Sequence, residues 1–186
     1  MPRCRVPRTE RVRRLRRVRG EGGLMRFLLY DRVLEATKGE SMVAVKHVSL
    51  TEDHLGDGYA GRRLLSGSLL LESMAQVAGW LVHFSTDFTV SAFLCLIDRA
   101  EIVGELPPGR AMRVEARMLG LSKRWAQLSC TAYDDAALVA RIARLNYVLQ
   151  DIHDPAEVAA EENRFRYYSG WPLDRVRAVP TRPVNR

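Results

Sequence analysis

Cysteine is scarce: Cys4, Cys95 and Cys130 are the only three in 186 residues, and none forms a C-x-x-C pair. An odd, widely spaced set argues against a disulfide framework and makes the cytoplasm the natural compartment. Cys95 and Cys130 fall in apolar strand patterns, which predicts small buried hydrophobes. The chain also lacks a glycine-rich phosphate loop and a cluster of metal-ligating residues, so neither cofactor nor metal is expected. Its most apolar segment, from Ser66 to about Ser85, is short for a membrane span of about 20 residues and carries Glu72 and Gln76 in its interior. No membrane span is expected.

Net charge is absent from most of the chain as well. Residues 1–24 carry nine arginines against two glutamates, which accounts for the whole formal charge of +7. The remaining residues hold 20 basic and 20 acidic side chains, so the body gives no electrostatic case for binding nucleic acid. The leader lacks the apolar stretch of roughly 7–15 residues that a secretory signal requires. Gly20-Glu21-Gly22-Gly23 needs purine-rich codons just upstream of Met25, where a bacterial ribosome-binding sequence would sit. Met25 is therefore the expected start, and residues 1–24 are read as disordered or untranslated.

What is present is 47% hydrophobic residues, enough for one core. Two apolar runs, Leu28–Glu35 and Met42–Leu50, flank Thr37-Lys38-Gly39-Glu40 and predict a hairpin. Residues 51–67 are rich in glycine and acidic side chains and predict a long shaped loop, of a kind that often carries function. Ser66 suits an N-cap for a helix reaching Ser85. Leucine, alanine, valine, methionine and tryptophan occupy nearly every face of that helix, which predicts that it is sheathed by protein. Alternation at Val114, Ala116 and Met118, and again at Ala126, Leu128, Cys130 and Ala132, predicts antiparallel strands with one packed face. Turns are expected at Pro107-Pro108-Gly109 and Asp134-Asp135, with Leu138–Gln150 as the last strand. The expected architecture is α+β, a curled antiparallel sheet around one long apolar helix, over residues 25–150. Residues 151–186 form an extension, with a short helix Pro155–Arg166 capped by Asp154 and a poorly ordered tail.

Glu72 demands explanation, because a carboxylate inside an apolar helix is costly to bury unless it is neutral, paired or useful. Burial would raise its pKa and suit it to act as a general acid, and Gln76 lies one turn on along the same face. Spacing alone leaves a structural role equally open.

Three stretches carry a resemblance. They are Arg26–Leu34, the hairpin strand Val43–Ser49, and above all Gly61-Arg62-x-x-x-x-Gly67-x-x-x-x-Glu72-x-Met74-Ala75-Gln76. Ile97-Asp98 and Pro108-Gly109 add to it. Over about residues 26–150 the chain resembles the FabZ type of 3-hydroxyacyl-acyl-carrier-protein dehydratase, a hotdog fold. The resemblance implies a dimer in which a histidine of one subunit removes the α-proton while a glutamate of the other, here Glu72, protonates the departing hydroxyl. It also implies that the backbone amides at Gly67 and Ser68 polarise the thioester carbonyl, a role that unpaired helix-start donors suit. The family's histidine lies in a Gly-His-Phe-Pro-Gly stretch, and its position here is Gly58, within Asp57-Gly58-Tyr59-Ala60-Gly61. Half of the acid–base pair is missing. Asp57 and Tyr59 are nearest to the gap, Gly58 and Gly61 remain as substrate-loop positions, and His54 would require the loop to be rewired. His47 and His83 are expected to be ordinary structural or surface residues, His83 lying roughly 16 Å along the helix from Glu72.

Four readings follow. The first is a dehydratase subunit that contributes Glu72 to a heterodimer with a histidine-bearing hotdog chain. The second is an active homodimer using Asp57, Tyr59 or His54. The third is a hotdog thioesterase using Glu72, and the fourth is a non-catalytic module that binds acyl carrier protein or acyl chains.

Overall fold

The computed structural model describes residues 27–52, 55 and 63–170. Expectations for the leader, for His54, Asp57, Gly58, Tyr59 and Gly61, and for the tail lie outside the described residues.

The first hairpin pairs β1 (Arg32–Thr37) with β2 (Ser41–His47) through a turn in which Gly39 takes φ +75°, a conformation that glycine adopts without steric cost. The chain then enters α1 (Gly67–Ser85), and the Ser66 side chain accepts the Leu69 N–H, as the sequence predicted. After α1 come β3 (Val90–Ile102), β4 (Ala111–Leu121), β5 (Trp125–Asp134) and β6 (Ala137–Asp151). All pairings are antiparallel, and the sheet order is β1-β2-β4-β5-β6-β3. The chain leaves α1 for the far edge, returns to lay β4 beside β2, and meanders back until β6 meets β3.

The return turns on Pro107-Pro108-Gly109. Gly109 has φ +87° and the Arg110 N–H reaches the Pro107 carbonyl, the geometry of a type II turn with glycine at its third position. The Gly109 N–H also bonds the Val48 carbonyl at 2.8 Å, which ties the turn to the end of β2.

Strands β2 to β6 curl around α1. Alternation works as expected on β5, where Ala126, Leu128, Cys130 and Ala132 are all buried. On β4 the buried set is Met112, Val114 and Ala116; Met118 is only partly covered because the register shifts there. Alanines 44, 116, 126, 132 and 140 are fully buried, and these small side chains let the sheet approach Met74, Ala78 and Leu81 of the helix closely.

Cys95 departs from expectation. Cys130 is buried, but Cys95 sits at the register shift between Leu94 and Leu96 on the edge strand and is exposed, its thiol donating to the Asn146 carbonyl. The helix past the sheet, α2, spans Pro155–Ser169, three residues beyond its expected end. Asp154 caps it by accepting the Ala156 N–H at 2.9 Å, and Gly170 closes it in the left-handed conformation. Among the described residues no helix is long and apolar enough to cross a membrane.

Candidate functional site

The helix α1 is not sheathed all round. One stripe stays open: Ser68 and Glu72 are exposed, and Gln76, Gly79, Trp80 and His83 are half-buried. These positions recur at three- and four-residue intervals, so they form one face. The tryptophan on this stripe read as sheathed in the sequence, but Trp80 and the neighbouring Gly79 line a groove. Glu72, expected to be buried, therefore stands at a solvent-accessible rim of the single chain.

The groove has a volume of about 230 Å³. Its floor is the open stripe of α1 from Glu72 to His83, and Tyr147 of β6 supports it from below. Ala92 and Leu94 of β3 form the far wall. That wall belongs to the unpaired sheet edge, where Phe93, Leu94 and Leu96 are all exposed. A long apolar edge strand is a ready template for another strand.

Hydrogen bonds fix the polar end. The Gln76 amide nitrogen donates to Glu72 Oε1 at 3.0 Å and to the Phe27 carbonyl at 2.9 Å, while its oxygen accepts the Leu29 N–H at 2.9 Å. Ser73 adds a buried bond to the Leu29 carbonyl at 2.5 Å. Gln76 thus holds the carboxylate of Glu72 and stitches the segment entering β1 onto the helix.

One turn toward the N-terminus, the Gly67 and Ser68 amides belong to the unpaired donors of a helix start. The Ser66 hydroxyl takes the Leu69 N–H and bonds the Ser68 hydroxyl, and among the described residues the Gly67 and Ser68 N–H groups have no acceptor. A Cβ at Gly67 would meet Ile102 Cδ1 at 2.7 Å, so the helix start lies hard against the end of β3. The carboxylate of Glu72 therefore stands about one turn beyond the donors of the helix start.

Tyr147 donates to the Ala75 carbonyl at 2.7 Å. Burial pushes its hydroxyl far above the usual phenol range, and the Cys130 thiol and the Glu72 carboxylate act in the same direction. It is a fixed donor beneath the groove, not a base. Sequence reasoning missed it, although its place in the alternating apolar run of β6 marked it as inward-facing.

At the far end the His83 ring packs against Trp80. Burial lowers its pKa from 6.5 to about 4; the nearby Arg164 charge helps, and a backbone hydrogen bond with Val90 partly opposes the shift. The ring is neutral near pH 7, and its Nδ1 is buried without a partner. His47 is exposed at the end of β2, with Nδ1 3.1 Å from Asp31 Oδ2.

A family profile described as the FabA-like domain matches residues 24–143. The chain belongs to that family. Among curated relatives, the 3-hydroxyacyl-[acyl-carrier-protein] dehydratase FabZ of Symbiobacterium thermophilum is 35% identical over 130 residues, covering 69% of this chain and 91% of that one. The FabZ of Oleidesulfovibrio alaskensis is 33% identical over 117 residues, covering 61% and 76%. Among solved structures, a hypothetical thioesterase protein with coenzyme A from Streptococcus pneumoniae superposes with TM-score 0.54 at 10% identity, covering 66% of this chain and 90% of that one. Zebra fish thioesterase superfamily member 2 gives 0.55 at 16%, covering 74% and 94%. The fold is the hotdog, an antiparallel sheet curled around a central helix.

Proposed function

We propose that this FabZ-like protein acts on 3-hydroxyacyl thioesters presented by acyl carrier protein, and that it supplies the acid half of a dehydratase site. What supports this reading is Glu72 at the mouth of the groove, with the start of α1 at Gly67 and Ser68 about one turn before it. With the thioester carbonyl at the amides, the positive end of the helix stabilises the enolate oxygen that develops as the α-proton leaves. Glu72, one turn on, protonates the departing C3 hydroxyl. The C2–H bond and the C3–O bond break, a C2–C3 double bond forms, and water leaves.

The base is the missing half. Gly58 stands where the resemblance implies a histidine, and a glycine carries no proton acceptor. The free edge of β3 supports pairing with a second hotdog chain, which would also wall the open side of the groove beside Ala92 and Leu94. A heterodimer with a histidine-bearing chain would complete the acid–base pair.

The test is to incubate the purified protein, alone and with any histidine-bearing hotdog protein encoded beside it, with a 3-hydroxyacyl thioester. Products are then identified by mass. Enoyl product only in the mixture is expected. Enoyl product from the pure chain would move the base to this chain's own loop, and free acid would replace the reading with thioesterase chemistry.

A further inference from the structure

The groove runs from Glu72 to Trp80 and His83, and the ring packed behind that far end comes from outside the FabA-like match. That match stops at residue 143, whereas α2 begins at Pro155. The helix α2 inserts Phe165, fully buried, against the C-terminal half of α1. Its ring lies 5.4 Å from Trp80, 5.9 Å from Phe84 and 5.5 Å from Phe88. Trp80 in turn packs 5.3 Å from the His83 ring. Phe88 reaches this cluster only because Asp87 and Phe88 both take left-handed backbone angles, φ +53° and +58°, which are unfavourable for side chains of their kind. Its N–H is held by the His83 carbonyl at 2.8 Å. The aromatic block is thus over-determined from three sides, and Trp80 and His83 are the parts that face the groove.

We infer that α2, through Phe165, braces Trp80 and His83 as the end-stop of the acyl groove and so sets the longest acyl chain the protein accepts. This inference rests on the acyl-thioester reading of the same groove and adds its length limit. Trp80 lies eight residues beyond Glu72, about 12 Å along the helix. An extended chain advances roughly 1.2 Å per bond, the value implied by about 3.5 Å per three-bond residue. About ten bonds therefore fit between a C3 carbon at Glu72 and the tryptophan, which places the limit at about 13 carbons.

The middle of the groove offers a control. A Cβ at Gly79 would sit 3.7 Å from Tyr147 Cε1, an ordinary contact, so a modest side chain is tolerated there but occupies the groove.

The test uses the full chain and a graded series of 3-hydroxyacyl-pantetheine thioesters, with binding measured by calorimetry. The native protein is expected to bind progressively better up to about 13 carbons and then to lose at least tenfold. Trp80→Ala should move the break to longer chains, Gly79→Val should move it to shorter ones, and Tyr167→Ala, on the exposed side of α2, should leave it in place. Phe165→Ala should blur the break, with circular dichroism reporting whether that variant folds. A break that stays put in both Trp80→Ala and Gly79→Val, while short chains still bind, overturns the end-stop alone. Failure of every chain length to bind the native protein overturns the acyl-thioester reading, and the end-stop with it.

Discussion

Acid should weaken this protein through one side chain. His83 has a pKa of about 4 in the fold against 6.5 when free, because the ring is buried and faces the Arg164 guanidinium. Arg164 is itself paired with Glu161 at 2.5 Å, and the other groups against the ring, Trp80 and the Val90 backbone, carry no charge. Between pH 6.5 and 4 the unfolded chain binds a proton that the native chain refuses. The unfolded state holds more protons in that window, so stability falls as pH falls and is fully present above 6.5. A difference of about 2.5 pKa units, at 1.36 kcal/mol each, gives about 3 kcal/mol, of which about 2 kcal/mol is lost between pH 7 and 4.5. Urea unfolding at fixed protein concentration reads it directly, as a drop in midpoint without change of slope. Because carboxylates titrate in the same range, the decisive quantity is the difference between the native protein and His83→Phe, which cannot take the proton. The variant should lose about 2 kcal/mol less over this interval. Parallel curves for the two proteins would refute the assignment of the buried neutral ring.

Other perturbations follow from the same contacts. Lys46 is buried, pairs with Glu52, lies 3.9 Å from Asp31 and donates to the His47 carbonyl. Lys46→Ala removes one cation from beside the partly buried Glu52 carboxylate and should lower unfolding stability by about 2 kcal/mol, as a two-state melt would show. Gln76→Ala removes the acceptor for Leu29 N–H and the donor to Phe27, and should cost about 2 kcal/mol while speeding amide exchange at Leu29. Gly109→Ala meets open space but inherits φ +87°, so its cost should be conformational alone, about 1 kcal/mol in chemical denaturation.

Much of this fold was legible because its signals are local. Ser66 announced the start of α1, Asp154-Pro155 announced α2, and a two-residue period on β5 separated buried from open positions. The strand β3 was harder to delimit. It is an edge strand, its register breaks at Cys95, and Phe93, Leu94 and Leu96 are exposed in succession, so no alternation marks its inner face. The open stripe on α1 was misread for a related reason. Composition cannot distinguish a glycine that packs from one that leaves room, and Gly79 does the latter, while Trp80 beside it faces the groove instead of the core. His83 was judged only by its distance from Glu72. What gives it meaning is Phe165, 82 residues later in the chain, and no local pattern links the two.

The carboxylate at the head of the groove is the point on which the functional account stands. Glu72→Gln keeps the size of the side chain, and the rate of enoyl-thioester formation in the presence of a histidine-bearing hotdog chain can be followed by absorbance. Loss of a general acid should slow that rate by at least about 100-fold with little change in acyl-thioester affinity. An unchanged rate would mean that the proton reaches the leaving hydroxyl from elsewhere, and that Glu72 is only a tether for Gln76.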